Sequence, residues 1–176
     1  MENQEVQLSE LLKIRRDKLK ELQEMGRDPF EITKYDQTHS AQQIRDRYAE
    51  LEGKKVSVAG RLMSKRGMGK VSFGHLLDLT GQIQLFVKKE LLGEDEYALF
   101  KKYDIGDILG VEGEVFTTKT GEVSSRAEKV TLLSKSLLPL PEKFHGLVDT
   151  DLRYRKRYVV LIMNSDLKDT FIKRSK

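Results

Sequence analysis

The chain has 176 residues, of which 34% are charged and 38% belong to the hydrophobic set. That length suits roughly one domain with attachments, at the usual ~100–200 residues per domain, and it can bury a sizeable core. No apolar run approaches the ~18 residues of a membrane helix, and the absence of cysteine excludes a disulfide scaffold, a thiolate zinc site and a cysteine nucleophile.

The start, Met1 to Glu5, is acidic and polar, without the pattern of a secretory signal. Only His39, His75 and His145 remain as imidazoles, scattered and without ligand spacing. A soluble, cytoplasmic protein with no membrane partner is expected. The net charge of +4 is unevenly placed. From Asp151 onward eight Lys and Arg face three Asp, a net +5 that leaves about −1 for the first 150 residues. Such basicity suits either a nucleic-acid surface or a solvated helix face.

In chain order, residues 5–25 carry Val6, Leu8, Leu11, Leu12, Leu19, Leu22 and Met25 at mostly three- and four-residue steps, which predicts an amphipathic helix with Gly26 as its C-terminal cap. Asp28-Pro29 then breaks it. A second helix is expected from Ser40 to Leu51, with Ser40 and Gln43 in capping-box spacing and Gly53 closing it.

After Gly53 the period falls to two. Lys55–Met63, Lys70–Leu76 and Gln82–Val87 alternate as strands, with turns at Ser64–Gly69 and Thr80-Gly81. A helical insertion follows from Gly93 to Tyr103, its apolar residues Tyr97, Leu99 and Phe100. Asp107–Thr117 and Glu122–Leu133 supply two more strands. Three strands, a short helix and two strands is the order of an OB-fold, a five-stranded Greek-key barrel. The expected class is therefore mainly β with flanking helices. Gly60, Gly110 and Gly113 within strands suit bulges or barrel corners. The expected division is a helical extension over 1–53, the barrel over 54–136, a Pro-marked linker over 137–150 and a last segment over 151–176. That segment should hold a helix from Arg153 to Met163.

No catalytic constellation emerges. Glu94 to Glu96 are sequential carboxylates on the insertion, and the stretch from Gly67 to Lys70 lacks the spacing of a phosphate loop. Binding is better supported, because an OB-fold takes single strands on the face of its second and third strands, between the loops joining strands one–two and four–five. The first loop, Ser64 to Lys70, brings Lys65, Arg66 and Lys70, and the other brings Lys119. On the second strand Phe73 and His75 share one face, with Ser72 and Gly74 on the other. Phe73 would be a stacking platform if that face is open, whereas periodicity alone favours barrel core. Gln84 could donate to or accept from a base edge or simply be solvated. Arg61 could reach a base or phosphate, or form a surface ion pair.

The runs Val58–Lys70, Ser72-Phe73, Asp78–Gln84, Lys119–Glu122, Leu140–Leu147 and Arg153–Tyr158 resemble bacterial class II lysyl-tRNA synthetases, from the first helix to the last residue. The barrel pattern alone would also suit aspartyl and asparaginyl relatives, while the Lys143–Gly146 stretch and the Arg153–Tyr158 run make the lysyl family specific. The resemblance implies an anticodon-binding barrel for lysine tRNA, whose anticodon is rich in U. Phe73 would stack on an anticodon base, Gln84 and Arg61 would help read the central U, and Glu122 would contact the first base.

It also implies that the chain stops as the first motif of the catalytic domain begins. ATP and magnesium would then belong to a missing domain carrying motifs two and three, and this chain should be inactive alone. Any homodimer would be weakened by that truncation. Other readings are the first part of a complete lysine–tRNA ligase and a remnant serving as a protein-interaction module. Leu77, Leu138, Val160 and Ser165 depart from the family pattern, the first three exchanging polar for apolar side chains.

Overall fold

A computed structural model describes residues 2–141 and 154–175. It divides into two compact units, residues 1–139 and 140–176. In the first, helix α1 (Glu2–Glu24) leads into a short 3-10 turn at Pro29–Glu31. Helices α2 (Ala41–Asp46) and α3 (Tyr48–Leu51) follow. The barrel strands are β1 (Lys55–Met68), β2 (Val71–Leu77), β3 (Gln82–Lys88), β4 (Ile108–Thr117) and β5 (Val123–Ser134). Between β3 and β4 lie α4 (Lys89–Leu92) and α5 (Glu94–Lys102).

The five strands close in the order β1-β2-β3-β5-β4, antiparallel throughout except for the parallel β3–β5 pair. This is the expected OB-fold. Alternation drives closure: Val56, Val58 and Leu62 on β1, Leu76 on β2, Ile83, Leu85 and Val87 on β3, and Leu109, Val111 and Val115 on β4 all point inward and are buried. Phe100, fully buried, and Tyr97 from α5 join the same core, and the Tyr97 hydroxyl bonds Ser72 Oγ (2.9 Å) and Gly69 O (3.1 Å). Leu22, Ala41, Ile44 and Leu51 belong to it as well, so the N-terminal helices share the barrel's core.

Local signals in the sequence account for the helix ends. Gly26 takes φ +70°, and the N–H groups of Gly26 and Arg27 bond the carbonyls of Gln23 and Leu22 (2.9 Å each), a Schellman close to α1. Ser40 and Gln43 form the expected capping box at α2. The helix expected over 40–51 is split, because Arg47 leaves the helical region (φ −109°, ψ 26°).

A larger departure concerns the first loop. Residues 64–68, expected to form a turn, continue β1 past its pairing with β4 as one arm of a hairpin in which Arg66 pairs with Phe73 and Met68 with Val71. Only Gly69 and Lys70 remain as the turn, with Gly69 at φ +64°. A bulge between Leu62 and Ser64 turns the strand at the barrel rim. Gly113 sits at a second register shift, where β5 comes so close that a Cβ would lie 2.3 Å from Arg126 O. Gly110 is covered by the ring of Tyr35, whose hydroxyl hydrogen-bonds Ser57 Oγ (2.9 Å).

In the second unit, α6 (Arg157–Met163) and α7 (Ser165–Ser175) bury Val159 and Val160. The helix expected from Arg153 to Met163 is interrupted: Tyr154 and Arg155 are helical, Lys156 is a turn, and α6 starts at Arg157, while residues 142–153, with most of the expected linker, lie outside the described residues. Val160 is buried, whereas Leu138 is 57% exposed. No described helix is long and apolar enough to cross a membrane.

Candidate nucleic-acid interface

Register places three rows of side chains on the outer face of the barrel. Across β1, β2, β3 and β5 the first row is Arg66, Phe73, Phe86 and Arg126. The second is Ser64, His75, Gln84 and Ser124, and the third is Arg61, Leu77 and Gln82. Inward positions on β2 are Ser72, Gly74 and Leu76, so Phe73 lies outside the barrel, half-buried, and the core alternative is set aside.

Phe73 does not stand alone. Its ring lies 5.3 Å from that of Phe86, which lies 5.7 Å edge-on from Phe116 of β4. The Arg126 guanidinium covers Phe116 at 4.7 Å and reaches Glu114 Oε1 at 3.4 Å. These three rings run across β2, β3 and β4, a path that the parallel β3–β5 pairing makes continuous. Phe86, Phe116 and Arg126 were not singled out from the sequence, although Phe86 stands two residues from Gln84 on the same face.

Gln84 sits in a chain of hydrogen bonds. Its Nε2 donates to Glu122 Oε2 (2.6 Å), and Ser124 Oγ donates to its Oε1 (2.9 Å). The other oxygen of Glu122 is 3.1 Å from His75 Nε2, and His75 Nδ1 is 2.7 Å from Ser64 Oγ. Glu122 is positioned by the β4–β5 turn, in which Thr118 Oγ1 accepts from Glu122 N (3.1 Å) and Gly121 takes φ +83°. Thus the structure brings Phe73, Gln84 and Glu122 onto one surface, with His75 and Ser64 beside them and the buried Ser124 hydroxyl beneath Gln84.

The cations divide. Arg66, Lys70 and Lys119 are exposed, Arg66 on the hairpin arm and the other two in turns. Lys65 is not a loop residue. Its ammonium bonds the carbonyls of Lys101 (2.8 Å), Phe100 (3.3 Å) and Tyr103, so it closes the C-terminus of α5. Burial pushes its pKa down, opposed by the charge of Asp104. Arg61 Nη1 donates to Gly106 O (2.7 Å) in the loop before β4, which holds one edge of the guanidinium on that loop. Burial lowers its pKa also, against the charge of Asp107.

A half-exposed aromatic row, flanking cations and an amide–carboxylate pair on the β2–β3 face are the parts that single-strand recognition uses: ring faces for bases, positive charge for phosphates and polar edges for selection. Residues 56–133 match the family model for the tRNA anticodon-binding domain, described as an OB-fold nucleic acid binding domain. The barrel is an OB-fold nucleic-acid-binding domain of that family.

The chain is 57% identical over 171 residues to a lysine–tRNA ligase of Clostridium perfringens, covering 97% of this chain and 34% of that relative. Identity to the lysine–tRNA ligase of Clostridium novyi is 54% over 97% of this chain and 34% of that relative, and to that of Syntrophomonas wolfei 52% over all of this chain and 36% of that relative. The chain spans about a third of the length of these relatives. Nearly the whole chain is thus similar to the anticodon-binding region of lysine–tRNA ligases, and the family match itself lies on the barrel.

Proposed function

We propose that the outer face of β2, β3 and β5 reads the anticodon loop of lysine tRNA. Phe73 stacks on one base, Gln84 hydrogen-bonds the central U, and Glu122 meets the first base. Arg66, Lys70 and Lys119 attract the phosphate backbone, a term that weakens as salt rises. Arg61 has donors left beyond the one held by Gly106 O, and it serves the edge of this surface. Lys65 acts in the fold.

The observation that carries the reading is the outward placement of Phe73 beside Gln84 and Glu122, a ring and two polar edges within one patch. Aminoacylation of lysine tRNA, with its ATP and magnesium, is assigned to other parts of the synthetase, and the setting is the cytoplasm. Dimerisation is assigned chiefly to those parts too.

The test is a fluorescence-anisotropy titration of the 176-residue chain with a lysine-type anticodon stem-loop and with one whose loop is scrambled. The reading expects the first to bind more tightly, with affinity falling steeply in salt. Equal affinity for both would leave a backbone binder without anticodon preference, and no binding to either would favour a protein-interaction module.

A further inference from the structure

We infer that His75 is a positioning residue that sets which way the Gln84 amide faces, and thereby makes the barrel select uracil over cytosine. The inference rests on the proposed anticodon reading and goes beyond the base contacts assigned there to Gln84 and Glu122.

A glutamine by itself selects poorly between the two pyrimidines. Its oxygen and nitrogen are nearly equal in size, so the amide can turn over and offer either an acceptor or a donor. Uracil presents a carbonyl where cytosine presents an amine. A flipping amide would satisfy both, and selection requires something that fixes it.

Ser124 does not fix it. The Ser124 hydroxyl donates to Gln84 Oε1 in the observed orientation, but it lies 3.1 Å from Glu122 O as well. If the amide turned over, the hydroxyl would donate to Glu122 O and accept from the Gln84 nitrogen, with nothing lost.

Glu122 does fix it. Its Oε2 lies 2.6 Å from Gln84 Nε2, and an ionised carboxylate only accepts. Turning the amide over would set oxygen against oxygen at that distance. With Nε2 held outward, one of its two N–H groups goes to Glu122 and the second remains for a base carbonyl. That arrangement accepts uracil and opposes the cytosine amine.

The Glu122 side chain is 47% exposed, so its position needs an anchor. His75 supplies it from β2, reaching across β3. Because the carboxylate accepts, the His75 nitrogen facing it, Nε2 at 3.1 Å, must carry the proton. In the tautomer that carries its proton on Nε2, Nδ1 is an acceptor, and the Ser64 hydroxyl donates to it at 2.7 Å. Donor directions therefore run without conflict from Ser64 through His75 to Glu122, where they meet the donor of Gln84.

The experiment measures Kd of the whole chain for a lysine-type anticodon stem-loop and for the same loop with its central U replaced by C. It compares wild type with His75→Leu, which removes the donor to Glu122, and His75→Gln, whose amide nitrogen can reach as His75 Nε2 does. One well-placed polar pair discriminates bases by ~1–3 kcal/mol, so the ratio Kd(C)/Kd(U) should fall about tenfold in His75→Leu. The fall should come mainly from tighter binding of the C loop, and His75→Gln should restore most of the ratio. A purely structural role would weaken both loops alike and leave the ratio unmoved. An unchanged ratio in His75→Leu overturns the inference, as does equal loss in His75→Gln. Should His75→Leu fail to fold, His75→Phe makes the same test, because it keeps a ring on β2 and offers Glu122 no donor. Wild type that binds neither loop refutes the anticodon reading itself, whereas discriminating wild type with indifferent variants refutes only the role of His75.

Discussion

Phe73, Arg66 and Lys65 are near neighbours on the barrel and do three different things. Phe73 is half-buried against Phe86 on the outer face, so Phe73→Ala should leave the core packed while removing a stacking surface of ~1–3 kcal/mol per base. A melting temperature close to wild type with anticodon-loop affinity lowered about tenfold or more is the expected pair of results, read by thermal denaturation and anisotropy. Arg66→Ala should weaken binding to every loop sequence alike and reduce the slope of log K against log salt by about one phosphate contact. Lys65→Met should act in the opposite sense. The ammonium that closes three carbonyls at the end of α5 is lost, so stability falls by about 1–2 kcal/mol in urea melts while RNA affinity holds. Two cations adjacent in sequence would then separate cleanly, one by binding and one by folding.

At the scale of elements, the barrel's shape depends on where strands approach closely. At Gly113 a Cβ would meet the backbone oxygen of Arg126, which cannot move without undoing the β4–β5 bulge. At Gly110 the obstruction is the Tyr35 ring, which can swing away at the loss of its bond to Ser57. Gly113→Ala should therefore cost more stability than Gly110→Ala, the latter about 1–3 kcal/mol as for other overpacked sites. The Gly110→Ala cost should shrink in a Tyr35→Ala background. Chemical denaturation of the two single variants and the double variant checks both statements.

The elements also show what the sequence made legible. The period-two alternation of Val56, Val58 and Leu62, or of Ile83, Leu85 and Val87, reports a surface half inside a core, and it located every strand. The hairpin arm over 64–68 departs from the expected turn because it pairs with β2 alone and Arg66, Gly67 and Met68 are exposed, so nothing forces alternation there. Phe73 and Gln84 were legible as residue types on a strand face. The contact between His75 and Glu122 was not, since it spans 47 residues and is created by the register of β2, β3 and β5. Lys65 was misplaced for the same reason: its partners lie on a helix that no local pattern ties to β1.

For the molecule as a whole, charge pairs fasten the N-terminal helices to the barrel. Asp104 accepts from Lys18 and Lys135 (2.6 Å each), and Lys135, almost fully buried, also pairs with buried Asp107 (2.9 Å). Burial works against the Asp104 charge, but the hydrogen bonds from Lys135 and Lys18 outweigh it and hold the carboxyl below its ordinary range. Asp78 is similar, its burial outweighed by bonds from Ala41 N, Thr80 and Gly81 N that join α2 to the β2–β3 turn. A carboxyl lowered in the folded state gives stability that is complete above the unfolded value near 4 and lost as pH falls through the folded one. Unfolding free energy should thus decline with acid below about pH 4, and Asp104→Asn together with Asp78→Asn should flatten that decline in urea melts taken across pH.

The central claim is that the outer face of β2, β3 and β5 is where RNA sits. Amide chemical shifts of the 15N-labelled chain, followed as a lysine-type anticodon stem-loop is added, test it most directly. The largest changes should fall on Phe73, His75, Gln84, Phe86, Glu122 and Ser124, with the α1 side of the barrel quiet. Changes centred on α1 or on the basic helices past Arg157, with the Phe73 face unmoved, would contradict the account.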